Sequence, residues 1–274
     1  MRVVQVMRRW RRRARRLWRG VRRVRLPRAA WVVVAAAVVL GVGVAWQVAR
    51  KPTELLGLVA PAAPKRPELT WAAYGPLFEA NSTELVPPEL LAALAQVESG
   101  GDPLARTYWR WRWSWNPLEV FAPASSAVGL MQITDGNLAE ASRLCIHDHG
   151  VAERGALLDP GGCWFNALYF RTVPSHAIEM TAAFLHRSVE EILAAERIPR
   201  ASPERKRRLA AVVHLCGRER GAAFARRGFW ILPGERCGEH ELARYVARVE
   251  AYAATFGRVA VTAAPRAAAP RPRP

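Results

Sequence analysis

Glu98 is the residue of this chain whose setting best suits acid–base chemistry. Apolar residues recur at helical spacing over positions 90–97, and Gly100-Gly101 ends the pattern just after Glu98. The carbonyl end of a helix carries partial negative charge and apolar neighbours exclude water, so both effects favour a protonated carboxyl. A general acid needs that form to protonate a leaving oxygen. Taken alone, an ordinary surface glutamate at a helix end explains the pattern better.

A second segment supplies groups that could surround such an acid. It reads Ser126-Ala127-Val128-Gly129-Leu130-Met131-Gln132-Ile133-Thr134. Met131 offers an apolar, polarisable wall, and Gln132 offers an amide for hydrogen bonds. A turn that leads into a core segment would explain the same residues without a function.

Together the two segments resemble a known family. A helix that ends in E-S-G, followed by S-x-x-G-L-M-Q-I, resembles the soluble lytic transglycosylases, whose domain has the lysozyme-like fold. The resemblance implies that Glu98 is the catalytic acid, and it implies neither a metal nor an organic cofactor. It also implies that the sugar cleft beside the acid is lined by Ser99, Gly129, Leu130, Met131 and Gln132.

The family cleaves the β-1,4 bond between N-acetylmuramic acid and N-acetylglucosamine in peptidoglycan. The 6-hydroxyl of the muramic acid is the nucleophile and leaves a 1,6-anhydro end, so one carboxylate suffices. A hydrolytic muramidase on the same fold would need a second carboxylate to activate water, with Glu179, Asp135 and Asp148 as candidates. A non-catalytic glycan-binding scaffold is a third hypothesis. An enzyme dedicated to an envelope-spanning secretion or conjugation complex would combine the first and third.

Two further motifs of the family match less well. The helix motif N-I-x-x-G-x-x-Y-L corresponds to residues 177–185, where its apolar positions fit but its asparagine and glycine positions do not. Glu179 in this helix is a candidate substrate contact near the cleft, although a helix-surface pair with His176 would also explain it.

The motif A-Y-N-A-G corresponds to residues 213–217, and only Gly217 is kept. His214 takes the tyrosine position, where its ring could hydrogen-bond near Glu98 and contact substrate. A packed or capping histidine is an equal alternative. Leu215 cannot replace the asparagine amide, so the departure concerns substrate contacts rather than the fold.

The E-S and G-L-M-Q motifs are separated by a longer segment than is usual in the family. It contains Tyr108-Trp109-Arg110-Trp111-Arg112-Trp113-Ser114-Trp115. Aromatic faces stack on sugar rings, and arginines pair with peptide-stem carboxylates. The same residues could instead rest on a membrane interface or pack into the domain.

The N-terminus carries most of the formal charge of +18. Residues 1–28 hold 13 arginines and no acid, which leaves +5 for the remaining chain. An uncharged, apolar stretch follows at 29–49 and is long enough to span a bilayer. The positive-inside rule then predicts a single-pass inner-membrane protein with its domain in the periplasm. A cleaved signal peptide is the alternative, and the proximity to the membrane argues against nucleic acid as a partner.

The four cysteines predict disulfides rather than a metal site. None lies in a C-x-x-C pair, and His147-Asp148-His149 has no third partner at a recognisable spacing. An even number in an exported chain indicates two bridges, with three possible connectivities. We favour Cys145–Cys163 and Cys216–Cys237, because each closes a short Gly-rich loop. Free buried thiols would be expected if the topology were inverted.

We predict five segments along the chain. They are a basic cytoplasmic segment (1–28), a transmembrane helix (29–49), a Pro-rich linker (50–70), a catalytic domain (71–257) and a disordered Ala/Pro/Arg tail (258–274). Within the domain, helices are predicted from residue 88, at 136–144, from 175, at 205–215 and at 239–256, with the best strand at 109–115. The fold class is therefore mainly α, a lysozyme-like α+β domain with minor β after one transmembrane helix.

Overall fold

The computed structural model describes residues 27–50, 54, 63–153, 155, 159 and 162–263. It contains two compact units. The first comprises Met1–Arg50 and Trp109–Ala122, and the second comprises Lys51–Tyr108 and Pro123–Pro274. Most of the predicted basic segment, most of the linker and the end of the predicted tail lie outside the described residues.

The first unit contains one long apolar helix, α1 (Arg28–Arg50). Within the described part of the chain, its portion Arg28–Val48 is the one helix long and apolar enough to cross a membrane. Only 6% of this apolar stretch is buried, whereas the core helix of a soluble protein is mostly buried. A signal sequence near an N-terminus would share these properties.

A short hairpin completes the first unit. Strand β1 (Trp109–Trp111) pairs with β2 (Phe121–Pro123), and a 3-10 turn (Pro117–Glu119) lies in the connection between them. The strand is shorter than the predicted 109–115. After it, the side chain of Asn116 accepts a hydrogen bond from Leu118 N (3.1 Å) and thereby starts the 3-10 turn.

The second unit is mainly helical, with minor strands, as the sequence predicts. Its helices are α2 (Pro67–Ala80), α3 (Pro88–Ser99), α4 (Asp135–Ala141), α5 (Pro174–Ala195), α6 (Pro203–Cys216), α7 (Arg218–Arg226) and α8 (Leu242–Ala263). Proline at the first turn begins α3, α5 and α6, where its missing N–H costs nothing.

The centre of the core is α3, whose residues 90–96 are all buried. Helices α2 and α8 pack against it, and α5 packs on α6. An aromatic cluster fills the contact, with the ring of Trp71 6.2 Å from Phe78 and 6.0 Å from Phe256. Phe78 and Phe256 are fully buried, and truncating either to alanine would cost about 3–5 kcal/mol. This packing fixes the end of α3 that carries Glu98.

Two small hairpins and two disulfides complete the second unit. Strand β3 (Leu144–His147) pairs antiparallel with β4 (Gly150–Glu153), and β5 (Arg236–Cys237) pairs with β6 (His240–Glu241). The structure contains Cys145–Cys163 and Cys216–Cys237, the two pairs that the sequence favours. The first links β3 to the segment before α5, and the second links the last residue of α6 to β5.

Several element boundaries differ from the predicted ones. The predicted helix at 136–144 ends at Ala141, because Leu144 and Cys145 form strand β3 instead. Helix α2 begins at Pro67, inside the predicted linker, and α7 had no strong apolar pattern to reveal it. Helix α8 continues to Ala263, beyond the predicted end of the domain, and Val259 and Ala260 of this extension pack against the core.

Candidate active site

Glu98 lies in the last turn of α3, and the end of this helix is fixed by glycine. Gly100 adopts the left-handed conformation (φ 61°), and its backbone N–H closes the helix. A Cβ at Gly100 would lie 2.8 Å from the Pro64 side chain, so the position has no room for a side chain and requires glycine. The termination that the sequence predicts therefore places Glu98 at the carbonyl end of a rigid helix.

Ser99 connects this helix end to the loop at 129–132. Its hydroxyl lies 2.8 Å from both the Ala95 and the Leu130 carbonyl oxygens. The second contact joins residues 31 positions apart in sequence. Ser99 thus holds the two motifs together, and its expected contact with the substrate stays a prediction.

The loop itself is rigid. Gly129 has φ 85°, and a Cβ there would lie 2.0 Å from the Arg171 carbonyl oxygen, so no other residue fits. Leu130 and Met131 are fully buried. The Gln132 amide nitrogen donates to the carbonyl oxygens of Ala105 (3.1 Å) and Gly129 (2.9 Å).

These contacts refine the expected roles of Met131 and Gln132. The Met131 side chain belongs to the core rather than to an open wall, and the Gln132 amide nitrogen holds its own loop. No hydrogen bond from a described residue reaches the Gln132 amide oxygen, which leaves that atom for a ligand. Direct sugar contact by Gly129, Leu130, Met131 and Gln132 stays a prediction.

Arg171 was not predicted, yet it joins the residues on both sides of the same loop. Its guanidinium donates to the carbonyl oxygens of Ser126 (3.0 Å) and Ile133 (2.8 Å) and pairs with Asp135 at 2.8 Å. No sequence pattern indicates this role, because a single arginine before a helix is not part of a recognisable motif.

Two side chains from other helices face the carboxyl of Glu98. The Tyr245 hydroxyl, on α8, donates to Glu98 Oε1 at 2.5 Å. His214 Nε2, on α6, lies 3.5 Å from the same oxygen. The Glu98 side chain is 17% exposed and the His214 side chain 7%, so the carboxyl is reached from one side only. The structure therefore brings His214 to Glu98, as predicted, and adds Tyr245.

Burial sets the protonation of both partners. It lowers the pKa of His214 below its usual value, against the opposing effects of Glu98 and a backbone hydrogen bond to Met131. His214 is therefore neutral near pH 7. Burial, the charge of Glu98 and the hydrogen bond to it all raise the pKa of Tyr245 well above its usual value. The tyrosine stays protonated and can always donate to Glu98.

Tyr245 is the main site residue that sequence reasoning missed. Its helix was predicted, and the apolar spacing of Leu242, Tyr245, Val246 and Val249 marks a buried face. A buried tyrosine needs a hydrogen-bond partner for its hydroxyl. That signal predicts a partner but cannot name Glu98, which lies 147 residues earlier in the chain.

Glu179 has a different environment from the one expected. Its Oε1 accepts from Ile146 N (3.1 Å), and its Oε2 accepts from the Tyr169 hydroxyl (2.8 Å). Both oxygens thereby hold strand β3 and the segment before α5 on helix α5.

A narrow cleft opens beside His214. It is lined by Ile133, Asn137, Ala141, Met180, Thr181, Phe184 and His214. The Thr181 hydroxyl is buried and has no hydrogen-bond partner among the described residues. The cleft has a volume of about 10 Å³, which suits a single water molecule rather than a sugar ring.

A larger cavity, about 420 Å³, lies elsewhere. Glu89, Leu90 and Ala253 line it. Glu89 is in the first turn of α3 and Glu98 in the last, so the cavity and the acid are at opposite ends of this helix. Size alone therefore does not locate the chemistry.

Comparison with known proteins agrees with the motifs. The family model described as Transglycosylase SLT domain matches residues 75–211, half of the chain. The match includes Glu98 and the loop at 129–132 and ends before His214 and Tyr245. No curated protein matches the chain. The chain is a member of the SLT transglycosylase domain family, whose activity is directed at peptidoglycan.

Proposed function

We propose that this protein is a lytic transglycosylase that uses Glu98 as its only catalytic carboxylate. Glu98 gives its proton to the oxygen of the β-1,4 bond between N-acetylmuramic acid and N-acetylglucosamine, and the bond from that oxygen to C1 breaks. The muramic acid 6-hydroxyl then bonds to C1, and its proton returns to Glu98. The products are a 1,6-anhydro end and a free 4-hydroxyl.

The observation that carries this proposal is the one-sided environment of the Glu98 carboxyl. Tyr245 and His214 both face Oε1, and no hydrogen bond from a described residue reaches Oε2. Oε2 is therefore the oxygen available to the substrate. The Tyr245 hydroxyl fixes the carboxyl and stabilises the carboxylate that forms once the proton has left.

His214 faces the same carboxyl oxygen as Tyr245. Burial keeps its imidazole neutral, so it places no positive charge beside Oε1. His214 is thus a positioning residue that helps to hold Oε1 on the protein side of the site and leaves Oε2 to the substrate.

We also propose that α1 anchors the enzyme in the inner membrane, with residues 1–28 in the cytoplasm and the second unit in the periplasm. Two observations support this topology. The helix is apolar and exposed, and arginines precede it. Both disulfides lie in the second unit, as expected of a domain in an oxidising compartment.

Digestion of purified sacculi tests the reaction. The full-length protein should release muropeptides with 1,6-anhydro ends, identified by mass spectrometry. Glu98→Gln should abolish release, and Glu89→Gln, a matched change at the other end of α3, should leave it intact. Release by Glu98→Gln would reject the assignment of the acid. Reducing ends would instead identify a hydrolase.

A further inference from the structure

Three tryptophans are exposed on the hairpin of the first unit. Trp111 is 66% exposed, Trp113 95% and Trp115 94%. One exposed tryptophan needs no explanation, but three within five residues form an apolar patch, and such patches mark interaction surfaces. Arg112 lies among them and is also exposed.

The turn of this hairpin packs on the apolar helix. The Gln47 side chain donates to the Leu118 carbonyl oxygen at 2.9 Å. Gly43 is buried there, and a Cβ on it would lie 3.5 Å from the Leu118 Cα. Residues 31–42 of the same helix are all exposed. The hairpin therefore covers one face of α1 at its C-terminal end and leaves the rest of the helix open.

The contact has a defined depth along the candidate membrane span. Gly43 precedes Val48, the last residue of the span, by five positions, which is about 7.5 Å along a helix axis. The hairpin thus sits where the hydrocarbon core would meet the headgroups. Because arginines precede the span, this end faces the outer side of the membrane in the proposed topology.

We propose that residues 109–119 form a membrane-docking hairpin in the outer headgroup layer of the inner membrane. Trp113 and Trp115 insert between lipid headgroups, and Arg112 faces the phosphates of anionic phospholipids. Indole rings favour this interface because they are apolar with one hydrogen-bond donor. The proposal rests on the membrane anchor proposed above and does not depend on the catalytic role of Glu98.

Tryptophans also stack on sugars, so a glycan strand is the competing occupant. The position of the hairpin favours lipid, since its turn lies against a helix of hydrocarbon-spanning length. Its carbonyl at Leu118 is satisfied by Gln47, as a polar group near the membrane core requires. The two possible occupants can be distinguished by fluorescence, because lipid and glycan would expose the same tryptophan rings to different quenchers.

Fluorescence of the full-length protein in vesicles tests the proposal. The vesicles contain phosphatidylethanolamine and phosphatidylglycerol, with or without bromine on the acyl chains near the headgroup. Subtracting the emission of Trp113→Ser/Trp115→Ser from that of the wild type isolates the two rings. We expect this difference emission to lose roughly half its intensity or more in brominated vesicles, as for rings at the interface.

A matched control uses Trp230, which is 67% exposed in the second unit. The difference emission for Trp230→Ser should not respond to brominated lipid. Quenching of the Trp113 and Trp115 emission only by aqueous acrylamide would overturn the proposal. So would protection of these two rings by soluble peptidoglycan fragments without any effect of brominated lipid.

A second variant acts on the helix side of the contact. Gly43→Leu leaves the hairpin sequence intact but fills the space that Leu118 occupies, so it should reduce the lipid quenching of Trp113 and Trp115. Both measurements are repeated in the Glu98→Gln background, where they should not change. If the wild-type protein shows lipid quenching but releases no anhydro products, the proposed reaction is rejected and the membrane-docking proposal is kept.

Discussion

Glu98 and Glu179 are both glutamates on core helices that accept a hydrogen bond from a tyrosine hydroxyl, and the difference lies in their second oxygen. At Glu179, Tyr169 binds one oxygen and the Ile146 N–H binds the other. At Glu98, Tyr245 and His214 both face one oxygen, and no described protein group donates to the other. A carboxylate whose two oxygens are both bound by protein is structural. A carboxyl with one open oxygen can exchange a proton with a ligand.

The largest effect is expected from neutralising Glu98. Glu98→Gln keeps the shape and removes the proton donor, so glycan release should fall by about 10²–10⁴-fold or more. The melting temperature should change little, because the oxygen that Tyr245 binds remains. Sacculus digestion and thermal unfolding measure the two effects. A large loss of stability with residual activity would assign Glu98 to structure.

The two tyrosines give the next contrast. Tyr245→Phe removes the donor to the Glu98 carboxylate, and a hydrogen bond to a charged group is worth about 1.5–3 kcal/mol, or roughly 10–100-fold in kcat. Tyr169→Phe removes the matching bond at Glu179 and should leave kcat near that of the wild type. Equal losses of kcat in the two variants would remove the distinction between the sites.

Glu179→Gln should act on stability. It weakens two hydrogen bonds that hold β3 and the segment before α5, so unfolding should become easier by about 1.5–3 kcal/mol. Activity of the folded protein should remain. Urea denaturation followed by tryptophan fluorescence measures this free energy. Loss of activity in a fully folded variant would instead support Glu179 as a second carboxylate of the cleft.

The smallest effect that we expect is on the stability of the folded protein at low pH. The pKa of His214 is lowered in the folded protein, so the unfolded chain binds the proton more readily than the folded one. The stability that neutral His214 contributes is complete above the unfolded pKa and is lost as the pH falls through the lowered folded pKa. His214→Gln should therefore flatten the loss of stability below about pH 6.5. His186→Gln should flatten the slope as well, because burial also lowers the pKa of His186. An unchanged slope for His214→Gln would show that folding does not lower the pKa of His214.

Local patterns predicted most of the helical fold and one half of the site. Apolar spacing with proline and glycine at the ends located α3, and the motif after Ser126 located the loop that Ser99 holds. Tyr245 and Arg171 were not predicted, because their roles arise from contacts between segments distant in sequence. Glu179 looked like a cleft residue from its helix position, but a single sequence cannot show that Ile146 and Tyr169 bind both of its oxygens.

The Cys216–Cys237 bridge ties together the two segments that supply the partners of Glu98. Cys216 follows His214 by two residues, and Cys237 lies in the hairpin that leads directly into the helix of Tyr245. One covalent link therefore joins the two segments that supply both partners of the acid. We expect the alignment of these partners to mature only after export, once an oxidising compartment forms the bond. A chain still waiting in the reducing cytoplasm would then carry an acid whose two partners are not yet held together.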